Sequence, residues 1–136
     1  MLLPNSDKLL IGDGDGKIYQ LDSKNVISDL KIQHDGWVNS FDINKSKSIL
    51  ISGGSDGNLI FFDINKNDLL KKIHLSEKTI NHLKFINDSL FIIIIDSIYL
   101  SNVNNNKILK KYYVPNKITS ILSIDNKKII LLGSLN

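Results

Sequence analysis

The stretch Ile11-Gly-Asp-Gly-Asp-Gly-Lys-Ile-Tyr-Gln-Leu-Asp22, IGDGDGKIYQLD, decides how the rest of the chain reads. Its alternating glycines and aspartates admit three chemistries: a phosphate cradle, a metal loop, or a tight turn between strands. A phosphate loop runs into a helix whose N-terminal N–H groups face the anion, yet Lys17 to Leu21 read as a strand. A calcium loop needs further oxygen ligands and a Glu near its end, where this chain has Tyr19 to Leu21. A turn needs only Asp15-Gly16, since glycine supplies the positive φ of a two-residue hairpin between twisted strands. The turn is the reading adopted.

The same pattern returns. Ser52-Gly-Gly-Ser-Asp-Gly-Asn-Leu-Ile-Phe-Phe-Asp63 aligns with it, so that Asp56-Gly57 falls on Asp15-Gly16 and Asp63 lies 41 residues after Asp22. A fainter copy, Ile95 to Asn102, ends 39 residues after Asp63. A second marker keeps the same beat: Val38-Asn-Ser-Phe41, Ile80-Asn-His-Leu83 and Ile118-Thr-Ser-Ile121, at spacings of 42 and 38. Between the markers, residues alternate with period two, as half-buried strands do. The pattern predicts strands near 8–11, 17–21, 26–32, 38–43, 49–52, 58–63, 69–74, 80–85, 90–95, 98–101, 108–114, 118–124 and 128–132. No helical stripe is visible. About four short strands per period of about forty is the mark of a propeller blade. The expected architecture is all-β, with about three blades of about four antiparallel strands: 8–32, 38–74, 80–114, and the start of a last blade over 118–136.

Composition narrows the function classes. Of 136 residues, 42% are hydrophobic and 23% charged, which fits a folded domain with a sizeable core. Lys and Arg exceed Asp and Glu by 17 to 14, a mild basic excess well short of a nucleic-acid tail. There is no Cys, which excludes disulfides and thiolate metal sites and fits a reducing, cytoplasmic setting. Met1-Leu2-Leu3 is followed at once by Pro4, so no secretory signal is read. The longest apolar run, Leu90 to Ile95, is far shorter than the ~20 residues of a membrane helix. Ile92 to Ile95 are expected to be buried on both faces of the middle blade, and Tyr112-Tyr113 to split, one ring inward and one outward.

Gln33-His-Asp-Gly-Trp-Val38 followed by ISGGSDGNLIFFD resembles the Gly-His … Ser-Gly-x-x-Asp-Gly … Trp-Asp signature of WD repeats. The resemblance implies a buried hydrogen-bonded set formed by His34, Ser52, Asp56 and, at the Trp position, Phe62, which has no indole N–H to donate. The order of copies is similar to the later blades of the receptor-for-activated-C-kinase scaffold family of the small ribosomal subunit. There a regular blade precedes one with a weak entry loop and a degenerate hairpin, and Ile80-Asn-His-Leu-Lys-Phe85 sits at that family's matching strand. That resemblance implies other proteins as partners, ribosomal proteins and small-subunit rRNA among them, and an adaptor joining ribosomes to signalling and translation factors. The family's ring has about seven blades, and its RNA-gripping basic loop belongs to a blade this chain lacks, so no RNA-contact residue is carried over. The chain stops at Asn136, where the last blade's hairpin and third strand are expected, so a truncated ring or a fragment is also expected. A generic WD-repeat adaptor of another assembly is the alternative.

Trp37 reads either as a partner anchor or as a rim residue packed on its own loop. Lys71, Lys72, Lys110 and Lys111, with Lys66 and Lys107, are candidates for an acidic partner; lysines also blunt outer strand edges. There is no Cys nucleophile, no Gly-x-Ser-x-Gly elbow and no His-Glu-x-x-His, and His74 and His82 fall on different predicted strands. No catalytic residue, metal site, cofactor, small-molecule substrate or membrane contact is expected.

Overall fold

The computed structural model describes residues 8–44, 46, 48–105, 107–124 and 129–134. Every regular element in them is a strand: β1 Leu9–Gly12, β2 Lys17–Leu21, β3 Ile27–Gln33, β4 Val38–Ile43, β5 Ile49–Gly54, β6 Asn58–Asp63 and β7 Asp68–His74. The series continues with β8 His82–Phe85, β9 Leu90–Ile94, β10 Ile98–Asn102, β11 Ile108–Tyr112, β12 Ile118–Ile124 and β13 Ile129–Ser134. Within each of four sheets successive strands pair antiparallel, in the orders β1-β2-β3, β4-β5-β6-β7, β8-β9-β10-β11 and β12-β13. Lys128, the start of the last predicted strand, lies outside the described residues.

Local chemistry sets the turns. Asp22, Asp63 and Asn102, the recurring markers at the end of the strand before the outermost one of each sheet, all bend the chain in one way. Their Oδ1 accepts the N–H two residues on, from Lys24 (2.9 Å), Asn65 (3.0 Å) and Asn104 (2.8 Å). Asn44 and Asn87 close the first hairpin of successive sheets by accepting from Ile49 (3.0 Å) and Leu90 (2.8 Å). A short side-chain oxygen that imitates a backbone acceptor is why Asp or Asn recurs there. Irregularities recur too: β6 and β10 carry register shifts at Phe61/Phe62 and Leu100/Ser101, β4 and β12 at Val38/Ser40 and Ile118/Ser120.

The Asp-Gly hairpins take a different form from the two-residue turn expected. Gly57 N–H bonds Gly54 C=O at 3.3 Å, and within the turn only Gly57 has positive φ (+68°). Gly16 matches it at +86°. A type I bend followed by a left-handed glycine absorbs the extra residue as a bulge. Asp56 keeps an ordinary φ, and its carboxylate is free to bond across the turn.

Alternation in the strands separates three cores between successive sheets. Leu10, Ile18, Leu30 and Ile32 of the first sheet pack on Leu50, Ile60 and Phe62 of the second. The other face of the second sheet, Ile51, Leu59 and Phe61, meets Ile80, Leu83, Phe85, Phe91 and Ile93. Ile92, Ile94 and Ile98 then meet Ile118. Neighbouring residues in β6 and β9 therefore point into different cores, which is why those strands read as unbroken apolar runs. Each such side chain contributes about 1.5–3 kcal/mol. The middle core is keyed by Phe91, whose ring stands edge-on to Phe61 at 5.8 Å.

Three expectations shift. Ile95 is only half-buried, unlike Ile92 to Ile94. Tyr112 and Tyr113 do not split: both are exposed, because β11 is the outermost strand and ends before Pro115, ahead of which extended, unpaired backbone is favoured. Strand β8 starts at His82 rather than Ile80, since Ile80 N–H is taken by Gly54 C=O of the preceding sheet at 3.1 Å.

Candidate functional site

The end of β3, the β5–β6 turn and the middle of β5 bring His34, Asp56 and Ser52 together. His34 Nδ1 lies 3.0 Å from Asp56 Oδ1, and His34 Nε2 lies 2.8 Å from Ser52 Oγ. The carboxylate can only accept, so Nδ1 carries the proton and Nε2 accepts from the Ser52 hydroxyl. Asp56 also accepts from Asp35 N–H (2.9 Å), Asn58 N–H (3.1 Å) and Asn58 Nδ2 (2.7 Å). Burial alone pushes the Asp56 carboxyl up; these hydrogen bonds, with that of His34, overcome it and hold the group at about 2.

The order Ser–His–Asp and its distances are those of a nucleophilic triad, but a nucleophile needs an open approach. Ser52 is 0% and His34 1% exposed, so no acyl group reaches Oγ. What the trio does is fasten the first sheet to the second. Phe62, also fully buried, shares the Ser52 face of the second sheet, since Ser52 and Leu50 alternate opposite Ile60 and Phe62. Its lack of a donor leaves nothing unsatisfied, because the Ser52 proton is spent on His34; among the described residues no buried side-chain polar atom lacks a partner.

Sequence reading missed how far this network runs. Asn58 Oδ1 faces His74 Nδ1 at 3.1 Å, and His74 Nε2 faces Glu77 Oε1 at 2.9 Å, so the bonds continue from the buried junction to the outer strand. It also missed a second fastening. Ser40 Oγ accepts Leu83 N–H (2.9 Å) and Asp42 Oδ2 accepts Phe85 N–H (2.8 Å), so β4 side chains cap the free edge of β8. Lys84 Nζ sits 3.1 Å from Asp42 Oδ1. The signal was polar Ser40 and Asp42 at alternate positions of β4, on one face of the strand.

The candidate partner residues stand apart from one another. Lys71 and Lys72 lie on β7, Lys110 and Lys111 on β11, the outermost strands of two successive sheets. Lys71 Nζ lies 4.6 Å over the Phe61 ring, and burial lowers its pKa. Lys72 Nζ bonds Gln33 C=O (3.2 Å) and Asp35 (3.3 Å) of the strand-and-loop before, and Lys111 Nζ lies 5.2 Å over Tyr99. Three of the four are thus engaged in packing. Trp37 is different: its N–H and C=O are tied to Ser55, while the residue stays 68% exposed.

No cluster of three or more metal-ligating side chains occurs among the described residues, and no helix there is long and apolar enough to cross a membrane. No protein-family model matches the chain, and no curated protein matches it in sequence.

Proposed function

We propose that this chain is a non-catalytic scaffold of the WD-repeat class, its sheets the blades of a propeller, acting in the cytoplasm as an adaptor on the small ribosomal subunit. The observation that carries the scaffold reading is the enclosed His34–Asp56–Ser52 set between two sheets of one repeat. A polar trio spent on joining blades, at the positions where WD repeats place theirs, favours a protein whose work is presenting surfaces. The ribosomal assignment rests on the order of a regular copy before a degenerate one. In the second junction Leu75 and Ile93 stand 41 residues after His34 and Ser52, and both lie in or against its apolar core. Co-sedimentation with purified small ribosomal subunits in high salt tests it: the chain should pellet with them. If it stays in the supernatant while resident subunit proteins pellet, the ribosomal assignment is lost and the adaptor belongs to another assembly.

A further inference from the structure

A groove of about 630 Å³ opens where β4, β8 and β12 begin, at the ends of the strands rather than on the sheet faces. Trp37, Asn39, Thr79, Asn81, His82 and Lys117 line it. Among the described residues the lining holds one lysine, one histidine, amides and hydroxyls, and no carboxylate. The acidic groups around it are already engaged: Asp35 with Lys72 Nζ, Asp56 with His34 and Asn58, Glu77 with His74 Nε2 (2.9 Å), and Asp96, which lines the adjoining groove, with Lys78 Nζ (2.7 Å) and the Tyr99 hydroxyl (3.1 Å). Lys117 is exposed and makes no ion pair with any described carboxylate. Beyond Asn81 and Lys117 the floor continues into a second groove that reaches Tyr113, 82% exposed.

We infer that this groove docks an acidic peptide segment of a partner protein, its carboxylates on Lys117 and an apolar side chain on the Trp37 ring. An exposed tryptophan offers a large, rigid contact at small entropic cost, which is why such residues anchor interfaces. A cation that no described carboxylate pairs selects the sign of the ligand. Amides and hydroxyls along the floor suit an extended backbone, whose N–H and C=O groups need partners once covered. Because the groove lies at strand ends, covering the sheet faces with further sheets or copies leaves it open.

Trp37 is the only tryptophan in the chain, so its emission reports on this groove alone. The experiment titrates the full chain with a peptide of alternating Glu and Leu, and with its Lys-for-Glu counterpart. The Glu peptide should saturate a change in Trp37 emission that weakens with salt; the Lys peptide should not. Lys117→Glu should weaken binding at least tenfold and Lys66→Glu, on a distant turn, by less than twofold, with unchanged far-ultraviolet spectra. Trp37→Ala, followed by anisotropy of the labelled Glu peptide, should also weaken it at least tenfold. Unchanged emission, an equal response to the Lys peptide, or equal affinities of Lys117→Glu and Lys66→Glu would each overturn the inference. It rests on the scaffold reading only in taking a protein as the occupant. A silent titration by a chain that pellets with subunits sinks the groove alone, and binding without pelleting sinks the ribosomal assignment alone.

Discussion

Asp56 shows how one carboxylate links two sheets, and its titration makes that link measurable. Its folded pKa of about 2 lies below the ~3.9 of an ordinary Asp. A depressed carboxyl contributes stability that is fully present above the unfolded pKa and is lost as pH falls through the folded one. The side chain is only 5% exposed, so the contribution is little screened and amounts to about 2 kcal/mol. Stability should therefore fall between about pH 4 and about pH 2. Asp56→Asn should be less stable by about that amount at pH 7 and should lack this part of the acid transition, as read by urea melts at several pH values. An unaltered pH profile in Asp56→Asn would show that the carboxylate is not the group responsible. His34, Ser52 and Asp56 were legible because the resemblance of their motif to WD repeats implies such a set. Asn58, Ser40 and Asp42 were not, because strand alternation gives the face of a side chain but not the edge of another sheet beside it.

Hairpins and edges carry the elements, and two of them can be tested cleanly. A Cβ on Gly57 would run into the carbonyl of Ser76, in a backbone already at φ +68°, whereas one on Gly14 would meet only the Trp37 ring at 3.6 Å. Gly57→Ala should cost more than about 2 kcal/mol and Gly14→Ala under about 0.5, measured by thermal unfolding. Similar losses at both sites would contradict the turn geometry. At the β8 edge, Asp42→Ala leaves Phe85 N–H without its acceptor and Lys84 without its counter-charge. Asp42 is 5% exposed, so the loss should be about 2–4 kcal/mol, with Asp42→Asn nearer about 1 because its amide oxygen still accepts. Equal stability of the Ala variant and the parent would mean that water takes over the bond. The thirteen strands of the described residues stood in the sequence in their observed order, since period-two runs between Asx and Gly turns are a strong signal. Their limits were less legible wherever a neighbouring sheet takes the bond, as Gly54 does at Ile80.

Across the whole molecule the repeating unit is the junction, and its chemistry changes along the chain. His34 N–H bonds Gly16 C=O at 2.9 Å, and 41 residues on Leu75 N–H bonds Gly57 C=O at 3.0 Å, so the backbone frame persists while the side chain turns from polar to apolar. Ser52 becomes Ile93 in the same step. One position earlier in the series, Ile11 stands 41 residues before Ser52 on the first sheet, and it is exposed there. On the same face Leu9, Tyr19 and Leu21, half-buried here, stand 41 residues before Leu50, Ile60 and Phe62, which are buried in the second sheet, and Ile27 is 65% exposed. A face shaped by this repeat accepts another sheet with an aliphatic residue at the His34 position, and left bare it associates with whatever covers it. The chain in isolation should therefore not run as a single monomer in size-exclusion chromatography with light scattering. Ile11→Lys with Ile27→Lys should shift it toward the monomer, because both side chains are solvent-facing and their charge opposes close approach without disturbing the cores. A sharp monomeric peak and a cooperative melt for the unaltered chain would mean that the first sheet's outer face is stable in water as it stands, and the need for a covering neighbour would go with it.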